Sequence, residues 1–113
     1  MKYLKYFQSQ KYNREQNNCW DFVRKIYKDE QGKELPELPI MTDEESVTFL
    51  KSNINYKVIQ EPKEGCLIFF QIGKINHIGY CINKKEFIHK NKIGANIERI
   101  PKKAIFYEVI IND

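Results

Sequence analysis

The sequence predicts an α+β domain, with helices in its first half packed on an antiparallel sheet of about five to six strands from its second half. Three observations carry this expectation. Cys19, Trp20, Val23, Ile26 and Tyr27 recur at the spacing of one face of a helix. From residue 56 onward, short runs rich in Ile, Val, Phe and Tyr alternate with turn-forming Gly, Asn and Lys. A chain of 113 residues, 42% apolar, suffices for one core but not for two, so residues 1–113 read as one domain.

Residues 1–9 gather Tyr3, Leu4, Tyr6 and Phe7 on one side, as a short helix or an ordered arm. Asn17 or Asn18 offers a side-chain oxygen to the open amides of a helix that starts at Cys19. Arg24, Lys25, Lys28 and Asp29 fall outside its apolar stripe, and Gly32 ends it. Pro36 and Pro39 hold residues 34–40 extended. Thr42-Asp43-Glu44-Glu45 has the form of a capping box, opening a second helix with Val47, Phe49 and Leu50 on its buried side. Acidic residues at that helix start are explained by the macrodipole and need no catalytic role. A turn at 62–65 lies among strands expected at 56–59, 67–72, 77–82, 86–89, 96–100 and 105–111, in an antiparallel meander. A tight turn at Asn83-Lys84 would set His77 opposite Lys90 and make His77 and His89 neighbours on adjacent strands.

The net charge of +4 comes from sixteen Lys and three Arg against fifteen acidic residues. Arginine makes the bidentate and stacking contacts that nucleic acids favour, so this lysine-dominated balance reads as a solvated basic face and not as a nucleic-acid site. A mild attraction to anionic polymers, bacterial wall polymers included, is compatible with it. Three cysteines, Cys19, Cys66 and Cys81, cannot all pair, which argues for at least one free thiol; Cys66 and Cys81 could pair in an exported chain. The first ten residues lack the apolar core of a signal peptide, and no run reaches membrane-spanning length. The expectation is synthesis in the cytoplasm, with a virion or another machinery delivering the protein if its target lies in the periplasm or cell wall.

Cys19 at a helix start sits where partial positive charge and free amides favour a thiolate, although an unpaired thiol is also commonly an inert core residue. His77 shares a strand face with Gly79 and Cys81, and His89 shares one with Phe87. One histidine can take a thiol proton while the other holds its tautomer. The same residues could instead bind zinc, but the chain has no CxxC, HxxxH or HExxH spacing, and no metal site is assigned.

These residues also carry a resemblance. Asn18-Cys19-Trp20-Asp21-Phe22-Val23, Glu64-Gly65-Cys66-Leu67-Ile68-Phe69-Phe70, His77-Ile78-Gly79-Tyr80-Cys81-Ile82 and Phe87-Ile88-His89 resemble, in order, successive blocks of the NlpC/P60 cysteine peptidases. Residues 19–36, with Tyr27 and Glu34-Leu35-Pro36, are especially similar to phage tail-associated members. The resemblance implies a papain-like fold without a cofactor, in which Cys19 is the nucleophile, His77 the general base and His89 the third polar residue. It also implies a thiol hydrolase of peptidoglycan stem peptides, of the type that cuts between D-glutamate and a diamino acid. Tyr12 matches a family tyrosine near the substrate. Asn18, Asp21 and Cys66 stand where the family pattern has Asp, Gly and Asp. Tyr12, Asn18 and Asp21 are therefore the positions expected to meet substrate and set its preference. A monomer is expected, with a phage tail or an immunity protein as the macromolecular partner. Two other readings stay open: an amidase or acyltransferase of the same fold, and a non-catalytic phage or assembly module. The related lipid-acting families are permuted, with histidine before cysteine, and the order here counts against them.

Overall fold

A computed structural model describes residues 3–8, 19–36, 55–72, 75–91 and 94–110. A 3₁₀ turn, Leu4–Gln8, precedes helix α1, Cys19–Gln31. Six strands follow: β1 Tyr56–Ile59, β2 Leu67–Ile72, β3 Ile75–Cys81, β4 Glu86–Asn91, β5 Gly94–Arg99 and β6 Ala104–Val109. Helix α1 ends where the sequence places its stop: Gly32 takes φ +70° and its amide donates to the Lys28 carbonyl at 2.9 Å. This left-handed cap satisfies a carbonyl that the last turn would otherwise leave open. The expected cap at Asn17 or Asn18 and the expected second helix from Thr42 lie outside the described residues. Among the described residues, no helix is long and apolar enough to cross a membrane.

All six strands join one antiparallel sheet in the order β1-β6-β2-β3-β4-β5. The expected meander holds only from β2 to β5. Strand β6 returns across the sheet and enters between β1 and β2, pairing Leu67 with Tyr107 on one side and Tyr56 with Val109 on the other. Tyr107 explains the preference: its ring lies edge-on to Tyr56 at 4.9 Å and to Phe69 at 4.8 Å, and only a central strand can make both contacts.

The sheet has an apolar layer on each face. On one, Leu67, Ile78, Tyr80, Ile82, Ile88 and Tyr107 pack with Trp20, Phe22, Val23, Ile26 and Tyr27 of α1 and with Tyr3 and Tyr6. On the other lie Cys66, Ile68, Phe70, Cys81 and Phe87. Helix α1 therefore buries Trp20, Phe22, Val23, Ile26 and Tyr27 against the even-numbered residues of β3 and β4. Polar contacts anchor it: Gln31 Nε2 donates to the Gly65 carbonyl at 3.2 Å and to the Tyr80 hydroxyl at 3.1 Å, and Trp20 Nε1 donates to the Pro36 carbonyl at 2.9 Å.

The β3–β4 connection differs from the expected tight turn. The Asn83 side-chain oxygen accepts from the amides of Lys85 and Glu86 at 2.7 and 2.8 Å, and Ile82 N–H donates to the Glu86 carbonyl at 3.1 Å. This Asx-type loop lengthens the connection and sets Tyr80 opposite Ile88 and Cys81 opposite Phe87, one residue from the expected register. The shift matters because a one-residue slip exchanges the faces of a strand. In the observed register the odd-numbered residues of β3 and β4, both histidines among them, share a face.

Candidate active site

His77 and His89 stand on β3 and β4, which the hydrogen-bonded ladder holds side by side. Their rings lie 6.5 Å apart, centroid to centroid, at 80° to each other. Phe70, directly opposite His77 across the β2–β3 pair, completes the group: it stacks on His77 at 5.6 Å and meets His89 edge-on at 5.4 Å. Phe87 closes against His89 at 5.0 Å and against Phe70 at 4.9 Å. Gly79, opposite Ile68 and next to His77 on the same face of β3, makes room for this packing. A Cβ there would stand 2.8 Å from Phe87 Cδ2 and 3.0 Å from the Ile88 carbonyl oxygen.

The two imidazoles have unlike surroundings. His77 is half-buried, whereas His89 is 1% exposed and walled by aromatic rings. His89 Nε2 lies 2.5 Å from Oε2 of Glu98 on β5, and its Nδ1 is buried with no hydrogen-bond partner among the described residues. Glu98 is the site residue that the sequence reading missed. Its signal was available in the alternation: Asn96 lies opposite His89, and Glu98 is the next residue on that face of β5.

Cys19 is the first residue of α1, so its backbone amide is among those without an intrahelical acceptor. Its side chain lies outside the described residues, as do Tyr12 and Asn18. Helix α1 crosses β3 and β4, the strands that carry the histidines, but covers the face opposite to the imidazoles. Asp21 is held 3.5 Å from Arg24 within α1, and Arg24 Nε donates to the Leu35 carbonyl at 3.0 Å. The structure thus brings His77, His89 and Glu98 into one group and places Asp21 in a separate one beside the chain that leaves α1. Among the described residues, no group of three or more His, Cys, Asp or Glu is arranged to hold a metal ion.

Cys66 and Cys81 are free, buried thiols in the layer that also holds Phe70 and Phe87. The hydrogen bond from Cys81 holds the Cys66 thiol below its ordinary range, against the effect of burial. That same hydrogen bond and burial push Cys81 up.

The chain matches the model of the NlpC/P60 family over residues 5–111. It belongs to the NlpC/P60 family. Among curated proteins no match is found. NlpC/P60 proteins are generally hydrolases, cysteine peptidases among them, which gives this chain the coarse class of a cell-wall peptidase or amidase. One antiparallel sheet with a helix against it is compatible with the α+β NlpC/P60 architecture, and the match takes in both histidine strands and the whole of α1.

Proposed function

We propose that this NlpC/P60 domain is a thiol hydrolase that cleaves amide bonds in bacterial peptidoglycan stem peptides, of the D-glutamyl-diamino acid endopeptidase type. The observation that carries this reading is the imidazole pair on β3 and β4, inside a family match that starts before Cys19 and runs past both histidines.

Cys19 is the nucleophile. At the first position of α1 its thiolate is favoured by the helix N-terminus. Attack on the scissile carbonyl forms a carbon–sulfur bond and a tetrahedral oxyanion, which the Cys19 amide is free to bind. His77 takes the thiol proton and returns it to the leaving amine as the carbon–nitrogen bond breaks. Water then attacks the thioester, giving its proton to His77, and releases the acid and the thiol. His89 holds the His77 ring in the orientation and tautomer that leave one nitrogen bare. No step needs a metal or an organic cofactor.

Purified sacculi and synthetic stem peptides, with products identified by mass spectrometry, test this reading. Cys19→Ala and His77→Ala should each abolish cleavage, and His89→Ala should slow it less, because solvent partly replaces an orienting group. A Cys19→Ala protein that still cleaves would end the proposal. A second reading has one observation in its favour: the imidazoles project from the sheet face that α1 does not cover, as in a scaffold that keeps the fold without the chemistry. A Cys19 thiol inert to a small alkylating agent near neutral pH would favour that non-catalytic module.

A further inference from the structure

Glu98 belongs to no block of the family resemblance, yet its carboxylate is the charged group closest to the histidine pair among the contacts described. We propose that Glu98 is a positioning residue for the histidine pair: by accepting the Nε2 proton of His89 it fixes that ring's tautomer and leaves Nδ1 bare, as the acceptor that orients His77. The proposal rests on the reading of His77 as the general base.

The donor inventory of the imidazole and the carboxylate sets the tautomer. A neutral imidazole has one N–H and one bare nitrogen, and an ionised carboxylate can only accept. With Nε2 2.5 Å from Oε2 of Glu98, the proton of a neutral His89 belongs on Nε2. Nδ1 is then an acceptor, buried and without a partner among the described residues. An acceptor left unsatisfied in a ring that is 1% exposed is costly, so this nitrogen calls for a donor.

His77 is the neighbour able to supply that donor. At 6.5 Å between centroids the two rings are near but not yet bonded. His89 is the ring that cannot move, wedged between Phe70 and Phe87 and tied to Glu98. His77 is half-buried and can close the gap by rotating, or through one bridging water. Once His77 donates one N–H to His89 Nδ1, its other nitrogen is bare and is the one that takes the thiol proton. Remove Glu98 and His89 can carry its proton on Nδ1 instead. It would then face His77 as a donor, and His77 would have to present its bare nitrogen to His89 and its proton to the thiol. The catalytic base would be in the wrong tautomer although no group touching substrate had changed. Sequence, strand register and proton placement thus link β5 to the chemistry on β3, through β4.

Glu98 is 54% exposed, so truncating it leaves the core intact. The experiment compares wild type, Glu98→Ala and Glu98→Gln by steady-state cleavage of a synthetic stem peptide and by nitrogen-15 NMR of the histidine rings, with a thermal melt as the fold control. Wild type should show His89 protonated on Nε2. Glu98→Ala should shift His89 toward the Nδ1–H form and lower kcat by roughly 10- to 100-fold with KM unchanged. Glu98→Gln keeps an acceptor oxygen and should restore both the tautomer and most of kcat. An Ala variant whose His89 nitrogen shifts match wild type, or whose kcat does not fall, overturns the proposal. If wild type cleaves no stem peptide, the functional reading fails by itself, while the nitrogen shifts of His89 still decide whether Glu98 sets its tautomer.

Discussion

Gly79→Ala isolates the packing that holds the two histidines together. The Cβ it adds would lie 2.8 Å from Phe87 Cδ2, 3.0 Å from the Ile88 carbonyl oxygen and 3.2 Å from Ile68 Cγ2. None of these neighbours yields easily. The carbonyl is backbone, Ile68 is fully buried, and the Phe87 ring is trapped between Phe70 at 4.9 Å and His89 at 5.0 Å. Overpacking of this kind costs about 1–3 kcal/mol. Alanine also restricts the unfolded chain, which offsets about 0.4–1 kcal/mol because φ at residue 79 is not in the left-handed region. The net expectation is a loss of about 1–2 kcal/mol. In urea, followed by the fluorescence of the single, buried Trp20, the midpoint should fall by about 1 M with the slope unchanged. Because Phe87 transmits the push to His89, cleavage by the folded variant should fall as well. In a Phe87→Leu background the substitution should cost less, giving a coupling of about 0.5–3 kcal/mol between the two positions. An unchanged midpoint, or the same cost in both backgrounds, would show that Phe87 and its neighbours yield to the added methyl group.

Two more outcomes are expected, one in alkali and one in thiol labelling. Burial first, and then the hydrogen bond to Glu64 at 2.7 Å, push the Tyr3 hydroxyl above the ordinary tyrosine range; burial with Glu30 and Asp29 does the same at Tyr6. The folded chain therefore keeps protons that the unfolded chain loses above about pH 10. Their contribution is complete below that pH and declines as the pH rises through it, and Tyr3→Phe should flatten the decline; equal slopes in urea melts across that range would contradict this. Cys66 and Cys81 present opposing effects, since a lowered pKa favours alkylation of Cys66 while 1% and 0% exposure bar the reagent from the two thiols. Burial should win: peptide mapping after brief alkylation near neutral pH should find both unmodified in the native protein and modified in urea. Rapid native labelling of Cys66 would show that the aromatic layer opens.

Much of the fold was legible because it rests on local patterns. The α1 stripe, its stop at Gly32, and the bounds of β1 and β2 follow from periodicity and turn chemistry, which act over a few residues. The position of β6 did not, because the choice between an edge and the gap beside β2 depends on Tyr107 meeting Tyr56 and Phe69, residues 51 and 38 positions earlier in the chain. The β3–β4 register is not legible in the sequence for a subtler reason. A tight turn and an Asn83-capped loop have nearly the same composition, and only the hydrogen bonds of Asn83 to Lys85 and Glu86 distinguish them.

The family blocks, the cysteine at the head of a helix and the two histidines on neighbouring strands are written in residue order and short-range periodicity. Which face the imidazoles share, the wedging of His89 between Phe70 and Phe87, and the β5 carboxylate at its Nε2 come from the folded chain. Side-chain direction alternates at every residue of a strand. A register fixed by one loop therefore chooses, for the whole site, which groups meet.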